Sequence, residues 1–340
     1  MRPLFELWED ILRDKPVPKT HKEWERPLVE LEEGVAKIRQ LAEKEKDTLK
    51  KIEHLARADS IESRTEEVRA LQYSNLGPWE KVLVARAEKR PYTLDYVTGL
   101  FTEFVELDGD RRGHVDHAIV GGPAMFEGKP VIVVGHQKGR NIQERQFRNF
   151  GMAKPEGYRK AIRLFDMAER FRMPVITFVD TPAADPGVES EGRGISEAIA
   201  AGMMKMFELT VPSVSIVIGE GGSGGAIGIA ASSRVLMLEH SVYSVIPPEG
   251  CAAILWRQPE RGADAAKALR LTAQSALEYG IVDEVIPEPM GGAHRDPVEV
   301  IGSVREALRR NFALLSDKDG ETLRDERYAK FRAMGLFDGG

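Results

Sequence analysis

Residues 214–238, VSIVIGEGGSGGAIGIAASSRVLML, hold one glycine-rich turn that admits several chemistries. Gly221, Ser223 and Gly225 make a G-x-S-x-G, the pattern of a nucleophile elbow that presents a serine hydroxyl on a sharp strand-to-helix turn. Asp283 and His294 then follow in the chain order such a hydrolase needs. Gly219, Gly221 and Gly224 make a G-x-G-x-x-G, whose glycines let a pyrophosphate reach the head of a helix. Glu239, twenty residues after Gly219, would serve a ribose hydroxyl. A third possibility uses no side chain at all. Gly221, Gly222, Gly224 and Gly225 bare the backbone where N–H groups lack internal partners and the helix dipole is positive, which makes an oxyanion hole of peptide groups. The fourth is a tight turn that packs closely and binds nothing.

Each alternative requires a strand before the turn and a helix after it. From about Arg90 to Pro289 the chain runs as short apolar stretches cut by glycine and proline. HAIVGGPAMF, KPVIVVGHQ, MPVITFVD, VPSVSIVIG and RVLMLE read as strands because β-branched residues cluster in them. YRKAIRLFDMAERF, ISEAIAAGMMKMFEL and the short AIGIAASS read as helices between them. Strands that alternate with helices imply crossover units and a buried parallel sheet. FVDTPAADPGVESEGRGISEAIA repeats the strand, loop and helix order, so its loop and the glycine turn face one crevice at the carboxyl ends of neighbouring strands. SVYSVIPPEGCAAILW adds a third loop.

Outside this core the texture is helical. Leu28, Leu31, Val35, Ile38, Leu41, Leu49, Ile52 and Leu55 recur at helical spacing, which predicts an amphipathic helix from Pro27 to about Ala58 and a second from Ile61 to Tyr73. PVEVIGSVREALRRNFALL and ETLRDERYAKFRAMG predict two helices at the other end. The expected organisation is an N-terminal extension with amphipathic helices over 1–89, a core over 90–292 and C-terminal helices over 293–340. Residues 1–26 carry no firm periodicity.

With 340 residues, 42% of them apolar and 30% charged, the composition is that of an ordinary globular protein. A net charge of −6 gives no sign of a nucleic-acid partner. No apolar run approaches the roughly 18 residues that cross a bilayer, and acidic residues interrupt MRPLFELWEDIL, so a cytoplasmic protein is expected. Cys251 stands alone, which excludes an internal disulfide or a cysteine-based zinc site within the chain. Between Lys138 and Arg172 ten basic residues face four acidic ones. That stretch is either a receiver for phosphates or an acidic partner, with Lys138 and Arg140 as the contacts, or a solvated helix face. His136 and Asp180, each at a strand end, suit a core histidine and a capping carboxylate. Cys251 suits a small buried residue, and Arg111, His114 and His117 suit an exposed loop or a coenzyme A contact.

A wider resemblance joins these features. GDR at 109–111, VVGHQKG at 133–139, NFGMAKPEGYRKA at 149–161, DTP and PGVE within 180–189, GEGGSGGA at 219–226, YSVIPPEGCAAILW at 243–256 and IPEPMGGAHRDP at 286–297 resemble the alpha subunits of the multisubunit bacterial and plastid acetyl-CoA carboxylase carboxyltransferase. RPYTLDYV at 90–97 fits as well. The resemblance implies an α/β fold of the crotonase type, a spiral of ββα units with helical extensions at both ends. It implies transfer of a carboxyl group from carboxybiotin, borne on a biotin carboxyl carrier protein charged by biotin carboxylase, to acetyl-CoA to give malonyl-CoA for fatty acid biosynthesis. A beta subunit that carries the zinc completes the site, in an α2β2 assembly. Gly224 and Gly225 would then offer their N–H groups to the biotin carbonyl, Gly221 and Gly222 would shape the turn, and Pro186, Gly187 and Val188 would line the opposite wall. Where the family's loop reads DTPGAYPG, this chain has Ala183 and Asp185 in DTPAADPG, and Pro247 replaces an expected serine. The competing functions are a self-sufficient CoA hydratase or isomerase of the same fold, a serine hydrolase using Ser223, and a non-catalytic scaffold.

Overall fold

The computed structural model describes residues 17–335. The first elements are two helices, α1 (His21–Lys44) and α2 (Thr48–Ser74), packed as an antiparallel hairpin. Arg39 reaches Asp59 and Glu62 across it, and Arg69 reaches Glu32 at 2.7 Å. Both expected boundaries move. Thr20 caps α1 through the Glu23 N–H, ahead of Pro27, which lies inside the helix. The break falls at 45–47 instead of near Ala58, because the Asp47 side chain accepts the N–H groups of Leu49 and Lys50 and starts a new helix without glycine or proline. At the hairpin tip the apolar stripe is not buried: Leu49 is 74% exposed.

Helices α3 (Pro78–Ala85) and α4 (Thr93–Leu100) lead into a seven-stranded sheet. Strands β1 (Ile119–Phe126) and β2 (Lys129–His136) form an antiparallel hairpin through Glu127 and Gly128, both at positive φ as a tight hairpin turn needs. After α5 (Pro155–Phe171) come β3 (Val175–Thr181), α6 (Ile195–Glu208), β4 (Ser213–Gly222), the short α7 (Ser223–Ile227), β5 (Arg234–Leu238), β6 (Val242–Ser244), α8 (Pro248–Trp256), α9 (Gly262–Leu269) and β7 (Glu284–Ile286). Strands β2, β3, β4, β5 and β7 pair in parallel in that order. The crossover sheet predicted from the alternation is therefore present.

The pleat divides two cores. Ile132, Val134, Val175 and Val179 face α5 and α6, with Tyr158, Leu164 and Ala198. Val131, Val133, Ile176 and Phe178 face the other way onto α4 and the helices α10 (Pro297–Leu315) and α11 (Gly320–Arg332), where Val300, Val304 and Leu308 are fully buried. Asp296 caps α10 and Pro297 opens it, which fixes its start at the residue the sequence indicates. Arg327 of α11 is 1% exposed and donates to the carbonyls of Met206 and Leu209, the orphan acceptors at the end of α6. The C-terminal helices thus close the sheet's second face.

Candidate active site

Strand β4 has one neighbour on one edge and two on the other. Val214–Val217 pair with β5, whereas Glu220–Gly222 pair with β6, and β3 runs along the opposite edge with a register shift between Val179 and Thr181. The strand passes straight into α7 through Ser223, whose φ of +53 lies in the left-handed region. No side chain caps α7. Among the described residues the Gly224 and Gly225 N–H groups make no bond to a carbonyl elsewhere in the chain; Gly224 is half-buried and Gly225 is buried.

The glycines earn this geometry in a way the sequence did not reveal. A Cβ at Gly222 would stand 1.9 Å from the Pro182 carbonyl oxygen, and one at Gly225 would stand 2.6 Å from the backbone of Ala183 and Ala184. The missing side chains admit the 181–184 loop against the turn; they do not hold open a space for substrate at those two positions. Gly224 differs, since a Cβ there meets only the Ile199 side chain, at 3.3 Å. Gly224 and Ser223 line a cavity of about 1090 Å³ with Met203, Phe207, Tyr243 and Val245. Its apolar surroundings continue outward to Ile227, Val245 and Tyr279, which are exposed.

A chain of ion pairs lies beside the turn. Asp180, at the end of β3, accepts the Glu220 N–H at 2.9 Å and meets Lys138 Nζ at 2.7 Å. Lys138 also meets Glu220 at 3.1 Å, and Arg86 joins Glu220 at 2.8 Å to Glu249. Burial pushes the Glu220 carboxyl up, but Lys138 and Arg86 overcome it and hold it at about 2. Burial lowers the Lys138 ammonium, and Asp180 and Glu220 raise it well past its ordinary value. Nothing in the sequence marked this network, because its members come from separate segments of the chain.

Lys138 is therefore neutralised from inside and is no free phosphate contact. Arg140 is also bound up: it pairs with Asp95, donates to the carbonyls of Glu88 and Arg90, and lies over the Tyr92 ring. The basic stretch behind them follows the same pattern. Lys160 meets Asp108 at 2.8 Å, Arg163 donates to the carbonyls of 107–109, and Arg148 donates to the His117 carbonyl. Much of this positive charge ties loops to the core.

Pro186, Gly187 and Val188 line neither that cavity nor the charged one described below, and Val188 is 90% exposed. The wall that meets the turn is Pro182–Ala184 instead. Asp185 is held by Ser190 of its own loop and by Asn149, from the segment before α5, at 3.1 Å, so its carboxylate is satisfied inside the chain. Ala183 has no positive φ, and the position needs no glycine. His136 is fully buried, and burial pushes its imidazole down to about 3, as for a neutral core residue. Cys251 is buried. Asp283 binds Arg234 and Lys330, and His294 lies against Glu25, so neither hydrolase partner reaches Ser223. Glu239 accepts the Glu288 N–H, and α7 has five residues, which leaves the dinucleotide pattern without its helix and its ribose ligand.

Solved structures share this architecture at low identity. Transcarboxylase 12S superposes with a TM-score of 0.56 and 17% identity over 76% of this chain and 46% of its own. The geranyl-CoA carboxylase beta subunit of P. aeruginosa gives 0.52 and 17% over 83% and 52%. A Pseudomonas malonate decarboxylase heterodimer gives 0.50 and 19% over 63% and 88%. The chain thus spans about half the length of the first two. These likenesses show the fold alone, an α/β architecture of the crotonase type. The family model described as acetyl co-enzyme A carboxylase carboxyltransferase-like matches residues 21–335. The acetyl-coenzyme A carboxylase carboxyl transferase subunit alpha of Geobacter metallireducens is 52% identical over 93% of this chain and 97% of its own, and that of Thermus thermophilus is 49% identical over 93% and 98%. The chain belongs to this alpha-subunit family.

Proposed function

We propose that the chain is the alpha half of an acetyl-CoA carboxylase carboxyltransferase and that, with a beta subunit, it moves a carboxyl group from a carrier-borne biotin to acetyl-CoA. The carrier's biotin supplies the activated carboxyl group. The bond between a ureido nitrogen and the carboxyl carbon breaks, a C–C bond forms between that carbon and the acetyl methyl carbon, and the methyl proton passes to the ureido nitrogen. The contribution of this chain is to hold negative charge on a substrate oxygen with the Gly224 and Gly225 N–H groups. Such donors need no reorganisation in the transition state, and one lost donor costs about 3 kcal/mol of barrier. The observation that carries the proposal is the pair of unengaged amides at the head of α7, beside an apolar cavity, in a chain of this family.

The apolar rim at Ile227, Val245 and Tyr279 supports a partner subunit that covers the cavity. With one cysteine the chain cannot build a cysteine ribbon, so zinc of that kind belongs to the beta subunit. No helix among the described residues is long and apolar enough to cross a membrane, which suits action in the cytoplasm beside the carrier protein and biotin carboxylase. The test is malonyl-CoA-dependent carboxylation of free biotin by the chain with and without its beta subunit. Turnover only in the mixture is expected. Turnover of CoA esters by the chain alone would overturn the proposal in favour of a self-sufficient hydratase or isomerase.

A further inference from the structure

A second cavity, of about 930 Å³, lies between the N-terminal hairpin and the core. Among the residues on its wall are His21, Glu25 and His294. His21 and Glu25 stand one turn apart on α1, and His294 follows β7 in the sequence, 269 residues after Glu25. One donor atom from each lies within 4.8 Å of the other two. His294 Nε2 is 3.3 Å from Glu25 Oε1, and His21 Nδ1 is 3.7 Å from Glu25 Oε2. Tetrahedral zinc, with bonds of about 2.1 Å, sets its ligand atoms roughly 3.4 Å apart. The two imidazoles meet edge to face with centroids 4.6 Å apart.

The ring nitrogens that face Glu25 are His294 Nε2 and His21 Nδ1; among the described residues, the second nitrogen of each ring is the unpartnered one. His294 is 8% exposed, yet among the described residues its Nδ1 has no partner, and neither has the buried Nε2 of His21. Buried polar atoms are ordinarily satisfied. Glu25 also accepts from the Tyr73 hydroxyl at 2.9 Å and shares the Arg295 guanidinium with Glu32, which Arg69 meets as well.

We infer that His21, Glu25 and His294 form a binding site for a divalent transition metal such as zinc. Two imidazoles and one carboxylate are the donor set that such ions prefer, while Mg²⁺ and Ca²⁺ seek oxygen. All three residues lie on the cavity wall, so the cavity supplies the route of entry. The ion pins α1 to the segment after β7 and so stabilises the docked hairpin. This site is separate from any zinc in a beta subunit.

The test uses the full chain alone, titrated with Co²⁺ and then Zn²⁺. One equivalent of Co²⁺ is expected to give the visible absorption of a four-coordinate ion, displaced stoichiometrically by Zn²⁺. Zn²⁺ is expected to raise the unfolding midpoint, and Mg²⁺ to leave it unchanged. His21→Ala abolishes both responses, and His114→Ala, at an exposed loop, leaves both intact. Should His21→Ala lower the metal-free midpoint, His21→Gln, which keeps bulk at the position, is the deciding variant. No cobalt spectrum at millimolar metal, or an unchanged spectrum in whichever variant folds, overturns the inference.

Discussion

Ser223 has the left-handed backbone of an elbow nucleophile, but no imidazole among the described residues is bonded to it. Ser223→Ala should therefore keep kcat close to the parent value, where loss of a true nucleophile costs about 10⁴-fold. Ser223→Gly should raise the unfolding midpoint, because a non-glycine residue in this region costs roughly 1 kcal/mol. Tyr158, fully buried, donates to the Gly225 carbonyl at 3.1 Å and supports the turn from behind. Tyr158→Phe should cost about 1–3 kcal/mol by leaving that carbonyl unsatisfied, and in the assembled enzyme should lower kcat more than it changes KM for acetyl-CoA. Gly224→Ala and Gly225→Val separate packing from access. The first should fold normally, since its Cβ meets one flexible side chain, whereas the second strikes the 183–184 backbone and should lower the unfolding midpoint as well as the rate.

Elements are joined by buried charge as much as by apolar packing. Arg90, 1% exposed, follows α3 and holds Glu288 beyond β7 with two guanidinium nitrogens. Removing one member of a buried pair leaves the other uncompensated, so Arg90→Met should cost about 3–5 kcal/mol in chemical denaturation. The start of α10 was legible because Asp296 and Pro297 are local signals. The break between α1 and α2 was not, because the polar run at 45–47 resembles the face of a continuous helix until Asp47 turns its side chain back on the backbone. For the same reason the exposed Leu49 and Ile52 look like core residues in the sequence.

At the scale of the whole molecule, three buried groups, His136, Glu220 and Glu288, share one direction of pH dependence. His136 is neutral in the fold with its imidazole pushed down to about 3, so its contribution is complete above about 6.5 and is lost as pH falls toward 3. Glu220 and Glu288 are held at about 2 in the fold against burial, by Lys138 with Arg86 and by Arg90 respectively. Their contribution is complete above about 4.5 and is lost as pH falls toward 2. Urea denaturation across a pH series should therefore show stability falling in two stages on acidification, with no loss from these groups between pH 7 and 8. A rise in stability from pH 6 to pH 4 would contradict this assignment.

The sequence by itself determined the alternation of strands and helices, the turn at Gly221–Gly225 and the family, because periodicity, caps and glycine runs act over a few residues. It could not determine what the glycines face, nor that Lys138 and Arg140 are already paired. Those outcomes depend on groups brought together from positions 86, 95, 180 and 220. Only tertiary structure decides such pairings, because a charge or a bare backbone is defined chemically by its neighbours in space, and one-dimensional spacing carries no record of them.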